Sequence, residues 1–278
     1  MCIVYLLGGR EARSENMKTQ INQVKNMRTL VVSIQKGGVG KTALSTHFAY
    51  YARKMGLKVL FIDHDTQGNA GNSLESHATK VFNTVDIYAE QLEFFNIPQF
   101  AEGNNADFVL FKGSTDFANL EEDDVLKLMA FKEAVSEYFD ICIFDTPPTL
   151  GNLQDFPFVV ADGIISPFEL DNYSYSGFEK LVKRIGQIQE INPSVQFLGF
   201  IPNKVDLRSE FHKEQLAMVQ EEFADFLFGD KFFIPLRSKL QVACHKGVPV
   251  WEIDTNRTVS THIRKLSKSI FAEIGLGA

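Results

Sequence analysis

Along this chain, short runs of consecutive apolar residues take turns with longer stretches in which apolar side chains recur every third or fourth position. The short runs are Thr29–Ile34, Lys58–Ile62, Phe108–Phe111, Ile141–Phe144, Gly163–Ile165, Phe197–Ile201 and Phe232–Ile234. Each is too short for a helix and rich in β-branched or aromatic residues, so each predicts a strand. The unbroken apolarity of Ile141–Phe144 is that of a strand buried on both faces. The longer stretches predict helices at Thr42–Met55, Val125–Tyr138, about Ser174 to Gln189, Glu210–Phe226 and Thr258–Ile274. In the first of them Leu44, Phe48, Ala52 and Met55 share one face, and Gly56 supplies the stop. Strands separated by helix-length segments join through right-handed crossovers. The expectation is an α/β fold, a doubly wound and mostly parallel sheet with helices on both faces. Residues 1–26 lack packing periodicity and read as an N-terminal extension. Residues 27–278 read as a single domain, without a Pro/Gly/Ser linker or an internal repeat.

Composition narrows the class. Of 278 residues, 45% are hydrophobic and 23% charged, the balance of a globular chain rather than a disordered or fibrous one. No apolar run reaches the roughly 18 residues that span a bilayer. The apolar start Met1–Leu7 has no basic segment before it, so no secretory signal is expected and the expected compartment is the cytoplasm. Cys2, Cys142 and Cys244 form neither a disulfide framework nor a CxxC pair, which fits a reducing compartment. A net charge of -7 argues against a protein that coats nucleic acid with its whole surface, yet the charge is uneven. Residues 231–278 hold eight Lys or Arg against three acids, leaving +5 there and -12 in the rest. Such an end is either a localised anion-binding face or a solvated surface.

The segment Gln35-Lys36-Gly37-Gly38-Val39-Gly40-Lys41-Thr42 lies between an expected strand and an expected helix. Several backbone N–H groups can converge on a phosphate chain only where glycines leave room or turn the backbone sharply. The N-terminus of the following helix adds partial positive charge. Lys41 is placed to reach the β- and γ-phosphates and Thr42 to ligate Mg²⁺. The GxxxxGK[ST] pattern is broken at its first position, which is Gln35, and a second lysine, Lys36, follows it. With that lysine the loop resembles the deviant Walker A motif of the ParA/MinD-type ATPases, and the resemblance runs from about Met27 to Phe271. It implies ATP and Mg²⁺ as cofactors, with Lys36, Gly37, Gly38, Val39, Gly40, Lys41, Thr42 and Ala43 binding the nucleotide. It also implies that Lys36 reaches across a homodimer to the partner's ATP, a task comparable to that of an arginine finger.

Two further segments carry the same resemblance. Asp63-His64-Asp65-Thr66-Gln67-Gly68-Asn69 is similar to the family's DxDPQGN switch, with His64 and Thr66 as departures. By that likeness Asp65 orients the attacking water, so that Lys36, Lys41 and Asp65 form the catalytic set, while Asp63 sits nearer the metal. Phe139–Pro148 resembles the Walker B strand, with Asp145 holding Mg²⁺ through water, so Thr42, Asp63 and Asp145 are the expected metal residues. Asn203, after the strand Phe197–Ile201, reads either as an adenine contact or as a plain turn residue. Ile234-Pro235-Leu236-Arg237-Ser238-Lys239-Leu240 resembles the family's IPRxxxL segment, whose backbone after Pro235 lies against the base.

The resemblance covers members that move DNA, members that act on membranes, and iron–sulfur relatives. The last need cluster-ligating cysteines that Cys142 and Cys244 cannot supply. A basic amphipathic helix is present, with Ile263, Leu266, Ile270, Phe271 and Ile274 beside Arg264, Lys265 and Lys268. It coincides with the family's final packed helix, so its apolar face is assigned to the core and no membrane partner is expected. Asp206-Leu207-Arg208 matches the family's DxR segment, and Arg237 and Lys239 match its basic residues after the IP pair. Arg208, Arg237 and Lys239 are therefore the expected contacts to non-specific DNA. Twenty-six residues before the fold are too few for a helix-turn-helix domain, so operator binding is not expected. The implied activity is that of a plasmid or chromosome partitioning ATPase. It dimerises on ATP, binds non-specific DNA at the nucleoid and is released when a ParB-like centromere-binding adaptor stimulates hydrolysis. The alternative is a MinD-like or cargo-positioning ATPase on a membrane or protein scaffold.

Overall fold

Seven apolar or alternating segments pair side by side into one sheet in the computed structural model, which describes residues 27–89, 107–170, 175–229 and 232–277. The extension assigned to residues 1–26, and Ser174 at the start of a helix, lie outside the described residues. The strands are β1 (Arg28–Val32), β2 (Val59–Asp63), β3 (Lys80–Asn83), β4 (Phe108–Lys112), β5 (Ile141–Asp145), β6 (Gly163–Glu169) and β7 (Gln196–Asn203). Their order is β3-β4-β2-β5-β1-β6-β7, and every pairing is parallel. Strand β1 lies between β5 and β6 while the chain leaves it for β2 on the far side of β5. The C-terminal end of β1 is thus a point where the winding of the sheet reverses, and such crevices take ligands in open α/β sheets.

The described helices are α1 (Lys41–Lys54), α2 (Asn69–Leu74), α3 (Asp124–Val135), α4 (Asn152–Val160), α5 (Tyr175–Gln189), α6 (Glu210–Glu222), α7 (Ser238–Lys246), α8 (Val250–Ile253) and α9 (Thr258–Glu273). The strand pleat sends alternate side chains to opposite faces. Leu30, Val32, Val59, Phe61, Ile141 and Ile143 pack with α1, α2, α7, α8 and α9, whereas Val31, Leu60, Ile62, Cys142 and Phe144 pack with α3, α4, α5 and α6. Burial on both faces explains why these strands read as continuous apolar runs. Phenylalanine fills much of this space, from Phe48 and Phe271 on one side to Phe131, Phe168 and Phe200 on the other. Truncating any of these wholly buried rings to alanine is expected to cost about 3–5 kcal/mol. The apolar face of α9 (Ile263, Leu266, Ile270 and Phe271) is buried against α1 and the sheet, so that amphipathic stripe belongs to the core.

Six features depart from the sequence expectation, two of them the short helices α2 and α8. Strand β3 is a short edge strand, half-buried on one side only, with a lysine that blunts its open edge. Helix α4 forms despite Pro157 in its interior. Helix α7 occupies the segment read only as a motif. Phe232–Ile234 is not a strand: its contact with β7 is Ile234 N–H to Pro202 O at 2.8 Å, followed by a single bridge between Val205, just past β7, and Pro235.

Candidate functional site

The chain leaves β1 through a loop whose backbone admits only small residues at its turns. Gly38 and Gly40 have φ of 76° and 97°, left-handed values that side chains disfavour. A Cβ on Gly40 would also overlap the Asn203 amide. Side-chain donors hold three of its carbonyls, two of them from outside the loop. Lys41 Nζ donates to Lys36 O at 2.8 Å, Asn203 Nδ2 to Val39 O at 2.6 Å, and Lys204 Nζ to Gly38 O at 2.6 Å. The shape of the loop is therefore set by the protein, and α1 begins directly from it, with its N-terminal N–H groups directed at whatever the loop encloses. Gly37 lies exposed at the tip, with open space where a side chain would stand. Lys36 is half-buried beside it, and Thr42 and Ala43 open the helix. The Lys41 ammonium is buried, which lowers its pKa, while the charges of Asp145 and Asp65 oppose that shift.

The parallel register places Asp63, at the end of β2, opposite Asp145, at the end of β5. Both are buried. Burial first, and the charge of Asp145 second, push the Asp63 carboxyl well above its ordinary range. Burial raises Asp145 to about 6, against the hydrogen bond from Thr42 and the charge of Lys41. Thr42 Oγ1 donates to Asp145 Oδ2 at 2.7 Å, and Asp145 Oδ1 is buried without a hydrogen-bond partner among the described residues. An unpartnered carboxylate oxygen next to a hydroxyl and a second buried acid is a site short of positive charge, which fits a hard divalent cation. No group of three or more His, Cys, Asp or Glu capable of holding a metal occurs among the described residues. Asp63 is spent differently: its Oδ2 accepts Gly71 N–H at 2.7 Å and its Oδ1 accepts Asp65 N–H at 3.2 Å. It anchors the turn that carries Asp65 while standing opposite Asp145 across the β2–β5 register.

Asp65 is half-buried, accepts Gln67 N–H at 3.0 Å and acts on Lys41 through its charge. Gly113 packs on this turn so closely that a Cβ would overlap the Asp65 carbonyl. His64, between the two acids, is wholly buried and bonds to Leu153 and Tyr88.

Asn203 is buried, and its Oδ1 accepts Lys204 N–H at 2.8 Å while its Nδ2 holds the loop. The geometry adds a role that neither sequence reading named, a brace between the strand end and the phosphate loop. Lys204 was not singled out from the sequence, because its left-handed backbone (φ 56°) and its ion pair with Glu169 at 2.7 Å leave no local signature. Pro235 is buried at the Val205 bridge, on the same sheet edge as Asn203. That bridge brings the segments of Arg208 and Arg237 together. Both side chains are exposed: Arg208 forms a two-pronged pair with Asp206 at 2.8 Å, and Arg237 donates to the Leu236 carbonyl at 3.0 Å. Lys239 is held more closely than the two arginines, with 35% of its side chain exposed. Its Nζ points to Thr255 Oγ1 at 3.1 Å and to the buried Asp254 at 3.4 Å, so it ties α7 to the segment before α9.

A family model described as an AAA domain matches residues 27–197. Protein IncC of Escherichia coli is 33% identical over 273 residues, which is 94% of this chain and 72% of that protein. The chromosome-partitioning ATPase Soj of Treponema pallidum is 26% identical, covering 89% of this chain and 98% of Soj. Among solved structures, apo McdA of Cyanothece superposes with a TM-score of 0.72 at 22% identity, over 88% of this chain and 100% of McdA, a likeness of fold. With the loop, the paired carboxylates and these alignments in place, the chain belongs to the ParA/MinD-type partitioning ATPases, an AAA-domain family of ATP-hydrolysing enzymes.

Proposed function

We propose that this chain partitions DNA by closing as a homodimer around ATP, binding non-specific DNA in that state, and letting go when a ParB-like centromere-binding adaptor stimulates hydrolysis. The observation that carries the reading is the Lys36–Thr42 loop, braced against Asn203 and Lys204 and facing Asp145, in a chain aligned over most of its length with IncC. Lys41 and the α1 N-terminus neutralise the β- and γ-phosphates. Thr42 and Asp145 would hold Mg²⁺, which when bound supplies charge neutralisation on the phosphate oxygens, and Asp63 fixes the turn that carries Asp65. Asp65, at the mouth of the site, orients the attacking water. Lys36 reaches the nucleotide of the second copy and stabilises charge that develops in the transition state. Pro235 and the backbone after it lie against the base.

DNA binding falls to the exposed face that carries Arg208 and Arg237, where Arg208 exchanges its Asp206 partner for a phosphate. Asp206, held well below the usual carboxylate range by Arg208, is the cost of that exchange. In the cell the ATP dimer sits on the nucleoid. No described helix is long and apolar enough to cross a membrane. The test is size-exclusion chromatography with ADP or ATP, followed by co-sedimentation with random-sequence DNA and with liposomes. An ATP-dependent dimer that sediments with DNA is expected. A chain that stays monomeric in ATP, or that sediments with liposomes and not DNA, refutes the reading.

A further inference from the structure

Helix α4 carries a proline where a helix has a price: Pro157 has no N–H, so the carbonyl four residues earlier, Leu153 O, loses its helical donor. The structure supplies a substitute from another part of the chain. His64 Nδ1 lies 2.6 Å from Leu153 O, and its Nε2 lies 2.5 Å from the Tyr88 hydroxyl, all within the core. The ring donates through Nδ1 to the carbonyl and accepts from the phenol at Nε2, which satisfies a neutral imidazole at both nitrogens. The backbone of the same residue donates to Asp145 O at 2.8 Å. One residue therefore joins the end of β5, the first turn of α4 and the 84–88 segment, and it is flanked by Asp63 and Asp65. A second tie reaches the same turn of α4, where Gln154 Nε2 donates to Ser33 Oγ at the foot of the phosphate loop at 3.0 Å. An aliphatic side chain would fill the space of His64 without burying an imidazole, so the polar contacts point to a demand for fixed geometry.

We propose that His64 is a positioning residue, latching the Asp63–Asp65 turn to α4 through the carbonyl that Pro157 leaves open and thereby holding Asp65 in place for hydrolysis. This rests on the reading of Asp65 as the residue that orients water. Asp65 touches the attacking water; His64 acts only through the backbone on either side of it. Displacement of such a turn by a fraction of an ångström leaves the phosphate loop and ATP binding untouched but misaligns the nucleophile, so the signature is a fall in kcat at constant KM.

The experiment is steady-state ATP hydrolysis by the whole chain with Mg²⁺ and DNA, alongside thermal melting. His64→Leu is expected to lower kcat about tenfold with KM for ATP little changed. His64→Asn places an amide N–H near the position of Nδ1 and is expected to restore most of the rate. His64→Leu combined with Pro157→Ala gives Leu153 O a helical donor again, so the melting temperature recovers while kcat stays low. Pro157→Ala alone, which poses no threat to folding, offers the carbonyl a competing donor and is expected to lower kcat severalfold without lowering the melting temperature. Wild-type kcat in both single variants, His64→Leu and Pro157→Ala, overturns the proposal. So does recovery of kcat together with stability in the combined variant, which would make His64 a cap for Leu153 and nothing more. Asp65→Ala, run in parallel, separates the two levels: wild-type kcat there removes the underlying reading of Asp65, whereas a slow Asp65→Ala beside a fast His64→Leu removes only the latch.

Discussion

Acidification should unfold this protein partly through one imidazole on the nucleotide-binding helix, and the size of the effect can be worked from the contacts. His47, in the middle of α1, is wholly buried. Its Nδ1 lies 2.6 Å from Ala43 O and must donate, and its Nε2 accepts Val250 N–H at 3.0 Å. Protonation would aim a second N–H at a backbone N–H, so the ring is held neutral, and burial pushes its pKa from 6.5 down to about 4. The unfolded chain binds a proton below pH 6.5 while the folded chain refuses it until about pH 4. Between those values the unfolded state holds more protons, so stability falls as pH falls. The full effect is about 3 kcal/mol, of which about 2 kcal/mol is reached by pH 5. Burial raises Asp145 to about 6, which works in the opposite direction, since a protonated Asp145 favours the folded state. His64, buried and likewise lowered to about 4, adds to the His47 effect, so wild type alone mixes several groups. The clean measurement is the difference between wild type and His47→Gln, by urea denaturation at pH 7.5 and pH 5.0. The variant should be the less stable protein at pH 7.5, and the gap should close or reverse by about 2 kcal/mol at pH 5.0. A gap that stays constant over this range refutes the argument that the His47–Val250 bond locks the neutral ring.

Lys41→Ala should abolish ATP binding in calorimetric titration while leaving the melting temperature almost unchanged, because the glycines and the Asn203 and Lys204 braces remain. Lys36→Ala should bind ADP normally yet fail to form the ATP dimer, whereas Asp65→Ala should accumulate that dimer and hydrolyse slowly; size-exclusion runs with each nucleotide decide, and a monomeric Asp65→Ala would move that residue from water positioning to assembly. Arg208→Ala with Arg237→Ala should lose DNA binding with dimerisation intact, and the log–log salt slope should shallow by about one unit for each charge removed per dimer. Lys239→Ala should instead lower the melting temperature, since it strands the buried Asp254 that it shares with Ser260.

Much of the architecture is written locally. A buried parallel strand needs four or five apolar residues in a row, and a helix packed on a sheet needs apolar side chains every third or fourth position. Both patterns survive in the sequence for β1, β2, β4 to β7 and for five of the described helices. The phosphate loop is legible for the same reason: its glycines, Lys41 and Thr42 act within eight consecutive residues, with no help needed to recognise them. Strand β3 escaped because its half-buried side is Lys80 and Phe82 while Val81 faces out, which leaves no apolar run and no polar-apolar alternation, and α4 because Pro157 argues against a helix until a donor from elsewhere is known. What the tertiary structure alone decided are the contacts between residues far apart in sequence. The β2–β5 register set Asp63 against Asp145 and left one carboxylate oxygen without a partner. The end of β7 turned Asn203 onto the phosphate loop, and the packing of α7 drew Lys239 down to Asp254. The ring of His64 met a carbonyl that only a proline could have left open. Each depends on which strands neighbour one another and on what burial leaves unsatisfied, and neither quantity exists until the sheet has closed.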